Sequence, residues 1–238
     1  VTTGCLTLLI ALITALALPV SWLGYRSWHD EKANTARKDA TLASILEHAR
    51  ATADDTAHAL HTSNQTDTDA LISVIWRHTQ APVITYDPAR HAFTATAAQS
   101  AHYDEKALLL GGGPVRVTRC FVHTYAHRPG HAWTLRLSEH DRAVCRPATL
   151  IGGLAGLART RLSSMYAEDL THATVRKALD PTGRQRPYNV KSVQRTADTI
   201  TLAILLSSSD PMAGQCYRFT WRIANDQRTT TAVPVSSC

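Results

Sequence analysis

The sequence predicts an α+β protein: an N-terminal transmembrane helix and a helical stalk, followed by two similar helix-plus-antiparallel-sheet halves stabilised by disulfides. Three observations lead there. No charged residue occurs between Gly4 and Gly24. Apolar residues then recur at helical spacing before giving way to short strand-like segments between turn signals. Finally, a six-residue pattern that begins with cysteine occurs twice, each time with a further cysteine downstream.

The uncharged run spans roughly 31 Å as a helix, against a bilayer core of about 30 Å. Trp22, Tyr25 and Trp28 follow it, where amphipathic rings favour the headgroup level. Pro19 lies near its end, where a kink is tolerated. The competing expectation is a cleaved signal peptide with Ala15-Leu16-Ala17 as its small-residue site. Against it, no Lys or Arg precedes the run, and apolar residues continue through Leu18, Val20, Trp22 and Leu23. Cys5 precedes the run and so is no lipid-attachment cysteine. Arg26 and Lys32 beside Asp30 and Glu31 leave the flanking charge balanced. Arg37 and Lys38 favour an inside flank, whereas the cysteines favour an oxidising, outer compartment. The reading is a single-pass protein of the cell membrane with its C-terminal domain extracytoplasmic, residues 1–26 forming the anchor.

Residues 27–80 read as helical stalk and first domain helix. Leu42, Ile45, Leu46, Ala49, Ala53, Ala57 and Leu60 form one apolar stripe. His61 to Asp69 is polar and turn-like, and Asp69 is placed to cap a short helix bearing Leu71, Val74, Ile75 and His78. Pro82 closes that helix. Residues 81–148 form the first sheet region, with strands at Val83 to Tyr86, His91 to Ala97, Val115 to Ala126 and Ala132 to Ser138. Asp87-Pro88, Gly111 to Pro114 and Arg128-Pro129-Gly130 supply turns. Residues 149–238 repeat the order. A stripe of Ala158, Leu162, Met165, Tyr166, Leu170 and Ala173 ends near Asp180-Pro181. Strands follow at Asn189 to Gln194, Thr199 to Leu206, Cys216 to Ile223 and Thr229 to Val235, with turns at Asp210-Pro211 and Asn225-Asp226.

Cys120-Phe121-Val122-His123-Thr124-Tyr125 matches Cys216-Tyr217-Arg218-Phe219-Thr220-Trp221 as Cys, aromatic, two variable residues, Thr, aromatic. Matching element order makes this an internal duplication. A returning strand brings Cys145 back towards Cys120 and Cys238 back towards Cys216, so both pairs fit a staple across a hairpin end. Four cysteines allow three pairings, and spacing alone selects none.

The chemistry on offer is sparse. His123, His127 and His131 surround the first hairpin, and His123 and His127 share a strand face. Three imidazoles suit Zn²⁺ or Cu²⁺ with an open fourth position, although the spacing is not an established ligand motif. Neighbouring acids, Asp104-Glu105 and Glu168-Asp169, diverge in either regular structure. Ser164, Glu168 and His172 line up only if one helix spans them. No Gly-x-Ser-x-Gly elbow, His-Glu-x-x-His helix or dinucleotide fingerprint occurs, and the three glycines at Gly111 lack a following Lys-Ser/Thr. The formal charge of +6 is scattered. Its densest patch, Arg184, Arg186, Lys191 and Arg195, is interrupted by Gly183, Pro187 and Tyr188, which argues against nucleic acid. Trp76, Tyr86, Tyr125, Trp133 and Trp221 read as core aromatics. Trp133, Leu135 and Leu137 alternate with Thr134, Arg136 and Ser138, as in a half-buried sheet.

The functional expectation is a non-catalytic interaction or accessory protein of a cell-envelope assembly, needing no cofactor. It binds lipid through the N-terminal helix and a protein partner through its body. The alternatives are a metal-dependent envelope enzyme using the histidines, and a secreted ligand-binding protein.

Overall fold

The computed structural model describes residues 2–107, 112–127, 131–183, 187–208, 213–223 and 230–238, with side chains from Leu12 onward. The turns expected at Arg128-Pro129-Gly130, Asp210-Pro211 and Asn225-Asp226, and the basic residues Arg184 and Arg186, lie outside the described residues.

Helix α1 (Thr2–Thr62) runs without a break through the uncharged segment and the stripe that follows it. The membrane expectation is corrected here: among the described residues, no helix is long and apolar enough to cross a membrane. Within this one helix the apolar run gives way to charged residues after Tyr25. Arg26, Asp30, Glu31 and Lys32 then continue the same helix. The first part of the expected span, through Ala11, lies outside the described side chains. The transmembrane anchor, the lipid partner reached through it and the single-pass localisation therefore fall. The small-residue triplet Ala15-Leu16-Ala17 lies inside this continuous helix.

Helix α2 (Thr68–Thr79) begins at Asp67, whose carboxylate accepts from the Ala70 backbone N–H at 2.9 Å. It ends at Gln80, in the left-handed region at φ 52°. Asp69 thus lies in the first turn of the helix rather than at its cap, and its carboxylate is free for other partners. Four strands follow as an antiparallel meander: β1 (Val83–Asp87), β2 (Ala92–Glu105), β3 (Gly113–Ala126) and β4 (Thr134–His140), in that order across the sheet. Asp87 turns the first hairpin by accepting from the Ala89 and Arg90 backbone N–H groups.

Helix α3 (Arg142–Ser163) starts well before the stripe that foretold it. Pro147 lies within it and disguises its beginning. Cys145, Ala148, Ile151, Ala155, Ala158 and Leu162 form its buried face. The chain then breaks at Ser164, makes a 3-10 turn at Ala167–Asp169, and enters α4 (His172–Leu179) through a Thr171/Thr174 capping box. A second meander closes the fold: β5 (Tyr188–Arg195), β6 (Thr199–Ser207), β7 (Gly214–Arg222) and β8 (Thr230–Val235), again in sequence order.

Two helix-plus-meander halves are therefore present, and they match in detail. Phe121, His123 and Tyr125 alternate inward on β3, and Tyr217, Phe219 and Trp221 do so on β7. Cys120 is bonded to Cys145 and Cys216 to Cys238, with Cα separations of 5.6 and 5.4 Å. The register partners of Cys120 and Cys216 are His140 and Val235, so each bridge reaches just past the end of the fourth strand. Loop closure of this length contributes about 3 kcal/mol per bridge on the chain-entropy model.

Contacts divide the chain into two compact units, Val1–Glu47 with Ser100–Thr118 and His48–Gln99 with Arg119–Cys238. The second holds both cores. In one, Leu60, Leu71, Ile72 and Ile75 cover Ile84, Phe93, Ala95 and Tyr125. In the other, Ile151, Ala155, Ala158 and Leu162 of α3, with Val175 and Leu179 of α4, cover the inward residues of β5 to β8. Helix α3 also approaches β1 closely. A Cβ on Gly152 would stand 2.9 Å from Pro82 Cγ, whereas one on Gly153 meets nothing within 4 Å. Gly152→Ala is expected to destabilise by about 1–2 kcal/mol, because a proline ring cannot swing away. Gly153→Ala is expected to stabilise by about 0.5–1 kcal/mol through helix propensity. Paired urea titrations read both signs.

Candidate functional site

The histidines do not assemble into a metal centre. Among the described residues, no group of three His, Cys, Asp or Glu side chains is placed to hold an ion. His123 points into the core at 0% exposure, and neither ring nitrogen has a hydrogen-bond partner. It stacks near Tyr125 at 6.3 Å, and burial pushes it down to about 4. His127 follows the end of β3. Its backbone N–H donates to the His91 carbonyl and its ring packs 4.9 Å from Trp133. His131 is exposed. The spacing predicted one shared face, but β3 ends at Ala126 and the alternation does not carry His127 inward. The metal-enzyme alternative falls with this geometry.

The Ser164, Glu168 and His172 line is also dispersed. Ser164 caps α3, Glu168 lies in the 3-10 turn, and His172 opens α4 with Nε2 3.0 Å from the Val190 carbonyl. Tyr125 is buried beside His123; burial pushes its hydroxyl up to about 12, with the nearby Thr56 hydroxyl pulling the other way. The Thr56 hydroxyl is itself spent on the Thr52 carbonyl at 2.6 Å.

Two polar clusters went unforeseen. Asp69 receives the Arg218 guanidinium at 2.6 Å, the Ser236 backbone N–H at 2.9 Å and the Ser236 hydroxyl at 2.7 Å. Burial raises its pKa, but the Ser236 contacts and Arg218 outweigh that and hold it below the ordinary carboxylate value. Gln215, buried on β7, accepts from the Ile84 N–H at 3.0 Å and donates to the Val235 carbonyl at 2.8 Å. Beside it, the Tyr217 hydroxyl donates to the Pro82 carbonyl at 2.6 Å. These groups join α2 and β1 to the second sheet. Every one of them is occupied by the fold, so the clusters are braces rather than binding sites.

What is left unoccupied lies on the other unit. From Leu12 to Trp28 helix α1 carries large apolar side chains in water: Leu16 is 62% exposed, Leu18 71% and Val20 66%. Arg26 lies over the Trp22 ring at 5.1 Å and Lys32 over Trp28 at 3.8 Å, shielding part of two indoles. Further along, Asn34 acts like one residue of a strand. Its Nδ2 donates to the Lys106 carbonyl at 2.7 Å and its Oδ1 accepts from the Lys106 N–H at 2.9 Å and from Arg37 at 2.7 Å. An open groove of about 350 Å³ beside it is lined by Asp30, Glu31, Lys38, Glu105 and Lys106. Mixed charge of both signs gives that groove no preference for an anion or a cation. The exposed helix is the stronger candidate. No family model, no curated protein and no solved structure matches this chain.

Proposed function

We propose that this chain is a protein-interaction module that binds through the exposed apolar segment of α1, with the disulfide-braced sheets as its stable body. The observation that carries this reading is the contrast along one helix. Ala49, Ala53 and Leu60 are buried against their own chain, while Ile13, Leu16, Val20 and Trp22 stand more than half exposed. A continuous apolar surface of this kind marks a contact with another molecule. The body supports a binding role in a second way: its Asp69 and Gln215 clusters are consumed by the fold, and neither converges with a nucleophile or an acid–base pair on a described cavity. Both disulfides fit a chain that works where thiols are oxidised.

A photo-crosslinking residue placed at Leu16 in the full-length chain, and a second at exposed Lys191 as control, tests this. Irradiation in the producing cell is expected to yield a discrete polypeptide adduct from Leu16 and none from Lys191. The absence of any polypeptide adduct, or adducts of lipid mass alone, overturns it.

A further inference from the structure

Resting on that reading, we propose that the partner is a second copy of this chain, paired through α1 as a parallel, in-register, two-stranded coiled coil. The exposed residues contain a heptad seam. Ile13, Leu16, Val20 and Leu23 are separated by three, four and three positions, the a and d spacing of a left-handed coil. All four are exposed, from 37% at Leu23 to 66% at Val20. Their order is informative as well, because β-branched Ile and Val at a with Leu at d select two parallel strands.

Charge complementarity supports the same register. With Ile13 at a, Arg26 falls at g and Glu31 at the e position five residues later. In a parallel dimer these are the two positions that face each other across the seam. Both are exposed. An in-register pair therefore forms two Arg26–Glu31 bridges by symmetry, whereas a shift of one heptad leaves them unmatched. Pro19 falls at g, beside the seam rather than in it. The seam ends where it should: Ser27 and Asp30 occupy the next a and d positions, and Asn34 is committed to Lys106. Trp22, Tyr25 and Trp28 fall at c, f and b, away from the seam.

Sedimentation velocity of the intact chain without detergent is the first test. The expected mass is twice the 26.0 kDa of one chain. Val20→Asp is expected to raise the dissociation constant at least about a hundredfold, by burying a carboxylate in the seam, while His29→Asp, at exposed position c outside the apolar segment, leaves the dimer intact. Arg26→Glu is expected to weaken association and Arg26→Glu with Glu31→Arg to restore it, which a non-specific apolar contact would not do. Leu23→Cys is expected to form an interchain disulfide under mild oxidation and Tyr25→Cys not to. Circular dichroism and the intact Cys120–Cys145 and Cys216–Cys238 bonds confirm that each variant keeps its body.

A monomer at every concentration overturns the inference, as does failure of the charge swap. A monomer that floats with phosphatidylcholine–phosphatidylglycerol vesicles, and loses flotation in Val20→Asp, overturns it and the interaction reading together. A monomer whose Leu16 crosslinks to a different polypeptide overturns only the identity of the partner.

Discussion

Replacing His123 by leucine is expected to remove most of the acid sensitivity of folding between pH 6.5 and about 4. The ring is fully buried, lacks hydrogen-bond partners, and is pushed by burial from 6.5 to about 4. In the folded chain it stays neutral through this window, while in the unfolded chain it takes up a proton. The unfolded state binds more protons, so stability rises with pH there. The contribution is complete above pH 6.5, is lost as pH falls, and flattens below about 4. A displacement of this size corresponds to about 3 kcal/mol. Leucine has nothing to protonate and a similar volume, and it also removes two polar atoms that burial leaves unpaired. Urea unfolding of the native chain and of His123→Leu at pH 7 and pH 4.5 makes the comparison. The native chain is expected to lose roughly 2–3 kcal/mol more than the variant over that interval. Equal losses would place the acid-sensitive group elsewhere. Asp69 acts in the same direction, but its depressed pKa moves its loss of stability to lower pH, outside this comparison.

The second sheet explains why a histidine sits there at all. Along β7 the inward residues are Tyr217, Phe219 and Trp221, and the matching positions of β3 are Phe121, His123 and Tyr125. His123 therefore occupies the place of a core aromatic. The duplicated hexapeptide already contained this alignment, and weighing His123 against Phe219 would have pointed to packing before metal. Both meanders were legible because alternation, turn residues and cysteine spacing are local signals. The helix after the first sheet was legible only in its second half. Pro147 hides the start, and burial of Cys145, Ala148 and Ile151 is a tertiary effect. The membrane span was read from an uncharged run alone, and among the described residues no helix is long and apolar enough to cross a membrane. The Asp69 node was half legible: a helix-start acid was recognised, but its partners Arg218 and Ser236 lie far along the chain. No pattern of period two or 3.6 encodes such contacts.

Gln215→Leu is expected to be among the most damaging single substitutions in the body, at on the order of 3–4 kcal/mol. Strand β1 is the edge of its sheet, and the Ile84 N–H is met by the Gln215 side chain rather than by another strand. The same carboxamide donates to the Val235 carbonyl on β8 and, at 3.2 Å, to the Cys216 carbonyl. One buried side chain therefore satisfies backbone groups of both meanders. Leucine fills the volume but leaves the Ile84 N–H and the Val235 carbonyl buried without partners, each costing about 1–3 kcal/mol. Tyr217→Phe is the calibrating variant. It deletes one hydroxyl bond to Pro82 in the same junction and keeps the ring, for about 1 kcal/mol. Denaturant midpoints rank the two, and amide exchange at Ile84 locates the effect. That amide is expected to lose protection selectively in Gln215→Leu, before Ala95 or Phe219 in the adjoining cores. If the two variants cost the same, Gln215 merely fills space and the meanders are held together by apolar packing. If Gln215→Leu costs more and Ile84 opens first, the junction is set by polar satisfaction of a sheet edge.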